Sequence, residues 1–105
     1  MKRFYVLISP EVQRDVSKLN DFIEGECSAP LAAKRYHAGL INKLRKLEKS
    51  ALLNTIDPEL SKQYGEDVRR DRYKEMAILY SVRGDDVYVH RIIPQKMVIY
   101  PTRME

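Results

Sequence analysis

The sequence predicts an α+β domain of order β-α-α-β-β-β, a small antiparallel sheet packed against an N-terminal helical hairpin. Three observations predict it. Two amphipathic stretches with helix-start signals follow one another between residues 9 and 49. Three strand-like segments crowd into residues 68–93, the last two joined by a tight turn. A lone apolar segment precedes the helices, so strands and helices are grouped rather than alternating.

The first strand is Phe4-Tyr5-Val6-Leu7-Ile8, β-branched and aromatic and bounded by Ser9-Pro10. Its near-continuous apolarity predicts that both faces are covered. Ser9-Pro10-Glu11 is a helix start: a capping hydroxyl, a proline at the first position, and an acid at the positive end of the dipole. Val12, Val16, Leu19 and Ile23 then recur at helical spacing, and Gly25 marks the stop. Ser28 and Pro30 open a second helix striped by Ala33, Tyr36, Leu40, Leu44 and Leu47, with Ile41 beside it. The link between the helices is short, centred on Glu26-Cys27-Ser28.

Residues 50–67 lose periodicity and read as a connection marked by Pro58 and Gly65. Val68 to Lys74 returns to a strand pattern. Glu75 to Val82 holds a continuous apolar core, as a central strand should. Arg83-Gly84-Asp85-Asp86 is hairpin-turn chemistry, and Val87 to Ile93 is the partner strand, ended by Pro94. The tail Met97-Val98-Ile99-Tyr100 is apolar enough to dock, either closing the core or receiving a partner.

Composition bounds the function. At 105 residues the chain is read as a single domain, residues 1–105, with one modest core. Hydrophobic residues at 44% argue against disorder. One cysteine, Cys27, allows no internal disulfide and no Cys-rich zinc module. No apolar run approaches the ~18 residues of a membrane span, so the chain reads as cytoplasmic. The net charge of +4 is a mild lean toward anionic partners.

That charge is unevenly placed. Residues 1–33 are nearly neutral, whereas residues 34–49 carry a net +5 and residues 62–74 a net +2. A solvated face opposite the leucine stripe accounts for the helical bases. In Val68-Arg69-Arg70-Asp71-Arg72-Tyr73-Lys74, strand spacing puts Arg70, Arg72 and Lys74 on one face. Such a ladder suits phosphates, and it equally suits a charged edge that resists strand pairing.

Other chemistry finds no support. The four glycines are scattered, so no phosphate-cradling loop exists. His37 and His90 are lone histidines without metal-ligand spacing, and nothing near Cys27 activates it. Neither a metal nor another cofactor is expected. What remains is a metal-free set of Arg, Lys and Tyr, able to bind phosphates and to stabilise the transition state of attack by a ribose 2′-hydroxyl.

Across nearly its whole length the sequence resembles the RelE/ParE superfamily of small bacterial toxins from type II toxin–antitoxin (plasmid-stabilization) modules. Three stretches carry the resemblance: Tyr5 to Asp15, then Val68-Arg69-Arg70, and then Ala77-Ile78-Leu79-Tyr80 with Val87 to Ile93. It implies a growth-arresting toxin held by a cognate antitoxin. The long helical hairpin is similar to the ParE branch, whose members poison gyrase by protein contact. A second expectation is a ribosome-dependent, metal-independent mRNA endonuclease, with Arg69, Arg70, Lys96 and Tyr100 as catalytic candidates and Arg72, Lys74 and Arg91 as target-binding ones. The cleaving members usually carry an arginine where this chain has Ala77, and His and Arg where it has Pro94 and Lys96. Losing one bidentate phosphate contact typically costs ~10²-fold in rate. The altered positions also admit a third expectation, a degenerate toxin fold that only binds proteins.

Overall fold

The computed structural model describes residues 3–26 and 29–98. They form three helices and a five-stranded sheet: β1 (Tyr5–Ile8), α1 (Pro10–Asp21), α2 (Pro30–Ser50), β2 (Ile56–Asp57), α3 (Pro58–Tyr64), β3 (Val68–Tyr73), β4 (Met76–Arg83) and β5 (Asp86–Pro94). The strand order is β1-β5-β4-β3-β2.

Local chemistry starts each helix as expected. The Ser9 hydroxyl accepts from the Val12 amide at 3.1 Å and donates to the His90 carbonyl at 2.9 Å, so one buried side chain caps α1 and fixes it to β5. The two stripes meet the sheet: Val12, Leu40, Leu44 and Leu47 pack with Phe4, Ile78, Tyr80, Val87, Val89 and Ile92, flanked by Val16, Leu19, Tyr36 and Ile41. Burying a leucine completely, as at Leu40 and Leu47, contributes roughly 1.5–3 kcal/mol.

β4 is the central strand, and residues Met76 to Ser81 are all buried. Its period-two signal vanishes because the far face is covered too. There Leu60 of α3 joins Val68, Ala77 and Leu79, with Ile93 and Val98 against them.

Several expectations need correction. The sheet is mixed: β3, β4 and β5 alternate in direction, but β1 lies parallel to β5. A parallel neighbour requires a long crossover, and here all the intervening elements supply it. β1 is also not covered on both faces. It is an edge strand, with Tyr5 71%, Leu7 47% and Ile8 44% exposed. Apolar content alone does not distinguish a buried strand from an open edge.

The segment 50–67 is not structureless, since it holds β2 and α3. Its signal is Asp57-Pro58-Glu59, the same capping grammar as Ser9-Pro10-Glu11, with Asp57 accepting from the Leu60 amide at 3.1 Å. Seven residues are too few to display a period. α1 does not stop at Gly25 but widens into a π-helical turn, Phe22–Glu26. The linker residues Cys27 and Ser28 lie outside the described residues, and α2 begins after Ala29. Lys74 falls beyond β3, in the β3–β4 turn at φ +52°, so it does not extend the face shared by Arg70 and Arg72. Of the tail, Met97 is exposed in a 3₁₀ turn and Val98 packs on the far-face cluster, while Ile99 and Tyr100 lie outside the described residues.

Candidate functional site

Strand alternation sorts the basic residues of β3. Arg69, Asp71 and Tyr73 share one face, and Val68, Arg70 and Arg72 the other. Tyr73 reaches α2, where its hydroxyl donates to the Tyr36 carbonyl at 3.2 Å. Asp71 pairs with Lys43 of α2 at 3.4 Å and accepts from the Arg72 amide at 2.7 Å. Arg69 donates to the carbonyls of Leu52 and Asn54, tying down the α2–β2 loop.

Arg70 and Arg72 sit opposite Leu79 and Ala77. With Asp71 and the segment Asn54 to Pro58 they line an open cleft of about 520 Å³. The Arg72 Nε donates to the Lys74 carbonyl at 2.8 Å. Lys74 places its ammonium 5.3 Å from the Tyr36 ring centre and 5.7 Å from that of Tyr73, a cation–π arrangement on two edge-packed rings.

Arg91 is not a free cation. Its guanidinium grips Asp15 of α1 through two hydrogen bonds of 2.8 and 2.9 Å, and Asp15 also accepts from the Ile92 amide at 3.1 Å. The hydrogen bond to Asp15 raises the Arg91 pKa further. Lys96 is exposed on the 3₁₀ turn after β5, and Tyr100 lies outside the described residues. Of the sequence-predicted residues, the structure brings Arg70 and Arg72 together. Arg69 and Arg91 hold the fold, and Lys74 and Lys96 stand elsewhere.

Sequence reasoning missed a polar cluster around His90. The buried His90 Nε2 lies 2.8 Å from the Ser81 hydroxyl and 3.9 Å from Glu66. Tyr64 packs on its ring at 4.5 Å between centres and Tyr88 edge-on at 5.2 Å, while Arg83 binds Glu66 and covers Tyr88. Beside it Ser9, Glu11, Tyr64, Tyr88, His90 and Arg91 line a recess of about 330 Å³. Burial pushes the His90 pKa down, and the Arg83 hydrogen bond holds that of Glu66 low. A serine–histidine–acid relay needs the base and the acid on opposite ring nitrogens. Here Ser81 and Glu66 both approach Nε2, and Ser81 is fully buried, so no nucleophile is presented. His90 falls at the register shift between Leu79 and Tyr80, which pair with Arg91 and Val89, and it lies diagonally across from Ser81, which pairs with Tyr88.

Among the described residues, besides Phe22, Leu31, Tyr64 and Met97, exposed large apolar side chains gather at two opposite edges of the sheet. One is β1. The other is the α2–β2 loop, where Leu52 is 55%, Leu53 83% and Ile56 40% exposed. Among the described residues no helix is long and apolar enough to cross a membrane, and no cluster of three or more His, Cys, Asp or Glu is disposed to hold a metal ion.

Comparison with known proteins adds two findings. The family described as ParE toxin of type II toxin-antitoxin system, parDE, matches residues 6–99. A solved structure described as the chromosomal ParDE TA system from P. aeruginosa superposes with a TM-score of 0.68 at 14% identity. That match covers 90% of this chain and 98% of the other, and at such identity it speaks for the fold. The comparison with curated protein sequences gives no match.

Proposed function

The chain belongs to the ParE toxin family of type II toxin–antitoxin systems, and from that membership we propose that it arrests growth by gripping DNA gyrase through protein–protein contact in the cytoplasm. Its place in such a module makes it the toxin, neutralised by a cognate antitoxin.

One observation carries the choice of target. Ala77 is fully buried on the far sheet face, packed with Leu60, Val68 and Leu79. This is the position where, by resemblance, the RNA-cleaving members present an arginine. A buried methyl there offers a phosphate no donor, so the chain lacks the bidentate contact that the cleaving members make at this position. The engagement of Arg69 with loop carbonyls and of Arg91 with Asp15 supports the same reading, because both cations already serve the fold.

Induced alone in bacteria, the chain is expected to stop growth, and its antitoxin to restore it. Purified toxin mixed with gyrase and supercoiled plasmid is expected to accumulate cleaved gyrase–DNA complexes. Primer extension on translated transcripts is expected to read through ribosomal A-site codons. Cuts at those codons with gyrase unaffected would overturn the proposal in favour of the nuclease.

A further inference from the structure

We propose that the α2–β2 loop, with Leu52 and Leu53 at its tip and Arg72 at its flank, is the surface by which the toxin seizes its target. The partner it fits is an acidic protein surface holding an apolar pocket. The proposal deepens the reading of a toxin that acts by protein contact, and it rests on that reading.

The first support is exposure. Leu53 and Leu52 are consecutive and project from the fold, with Ile56 close behind in sequence. Contiguous exposed apolar side chains on a small domain mark an interaction site more often than isolated ones do.

The second is rigidity. The loop is fastened from beneath by buried or half-buried side chains. The Tyr80 hydroxyl, fully buried, donates to the Ala51 carbonyl at 2.6 Å and accepts from the Asn54 side chain at 3.0 Å. Arg69 donates to the Leu52 and Asn54 carbonyls, and the Leu53 amide donates to the Ser50 carbonyl at 3.0 Å. The two leucines are therefore presented in a fixed conformation, which lowers the ordering cost of binding.

The third is charge. Lys46 and Lys49 are exposed near the end of α2, just before the loop, and Arg72 is exposed on the cleft beside it. Among the described residues Arg72 donates from Nε to the Lys74 carbonyl, and its two terminal nitrogens have no partner. An apolar knob preceded by exposed lysines and flanked by an arginine-lined cleft complements an acidic rim around an apolar pocket. Nucleic acid fits less well, because the exposed tip is two leucines, which offer phosphates no donor and call for an apolar pocket. An extended antitoxin tail is better served by an open strand edge, and β1, across the sheet, is one of the two edges the sheet offers.

The test uses the full-length toxin carrying Leu52→Ser with Leu53→Ser, and separately Arg72→Glu. Both variants, purified with the antitoxin, are expected to keep the wild-type circular dichroism and melting temperature, since the replaced side chains are exposed. Antitoxin affinity is expected to stay within about twofold. Induced alone, the double variant is expected to lose growth arrest by about tenfold or more, and Arg72→Glu by several-fold. Undiminished toxicity of the double variant overturns the proposal. So does a parallel loss of antitoxin binding, a loss of duplex-DNA binding in a mobility-shift assay, or dissociation of a toxin dimer. If wild-type toxin leaves gyrase untouched, the choice of gyrase fails, while the comparison of toxicities still decides on the loop.

Discussion

At Gly39 the Tyr73 side chain of β3 lies directly against the backbone of α2. A Cβ added there would lie 2.2 Å from the Tyr73 hydroxyl and 3.1 Å from the ring carbon bearing it. Tyr73 cannot easily withdraw, because it packs edge-on against Tyr36 and donates to the Tyr36 carbonyl. Gly39→Ala is therefore expected to cost about 1–2 kcal/mol, the strain of overpacking outweighing the ~1 kcal/mol that alanine contributes to a helix. Tyr73→Phe alone loses one hydrogen bond, about 1 kcal/mol, but in the Gly39→Ala background it relieves the clash. Urea unfolding of the two single variants and the double tests this, and strictly additive losses would refute the contact. Neither the contact nor the His90 cluster was legible in the sequence, for one reason. Each joins residues far apart in the chain through a register, and composition does not encode register. Ala77 was legible as a departure from the RNA-cleaving pattern, whereas its burial beneath Leu60 was not.

Among the elements, the α2–β2 loop depends most on one buried side chain. Tyr80→Phe keeps the ring in the core but leaves the Ala51 carbonyl and the Asn54 amide without their partner. The expected loss is about 1–3 kcal/mol, the cost of stranding buried polar groups. Amide exchange of residues 51–55 is expected to quicken more than that of β4. Unchanged exchange in the loop would mean that Arg69 suffices to hold it. The long elements were readable because their periods repeat several times: both helical stripes and the β4–β5 hairpin stand where the pattern puts them. α3 was missed because it makes barely two turns, although its Asp-Pro-Glu start was present. β1 was recognised as a strand, but its edge position follows from pairing with β5, the last strand of the sheet.

For the whole molecule, the Glu66–His90 cluster ties acid stability to α3, β4 and β5 together. His90 is held neutral by burial, so its folded pKa lies below the ordinary 6.5 and the unfolded chain takes up the proton first. Stability is therefore expected to fall as pH drops through the region of 6.5 and below, opposed in part by Glu66 and Glu11. Glu66, whose folded pKa lies below 4.5, contributes stability that is present above 4.5 and lost as pH falls through its folded value. Urea midpoints at pH 7.5 and 5.5 are expected to differ for the wild type and to differ less for His90→Phe, which keeps the aromatic packing. An equal pH dependence in both would remove His90 as the cause.

By itself the sequence determined that this is an α+β chain with a helical hairpin before its main strands, a basic second helix and β3, and a RelE/ParE-like pattern. These properties are local or periodic, and a linear chain displays them directly. Tertiary structure alone decided which strand lies at the edge, which face of the sheet closes over Ala77, which arginines are consumed in holding the fold, and which leucines are left in water. Those outcomes depend on pairing between distant segments, where a single register shift or a short helix redirects side chains that the sequence leaves equivalent.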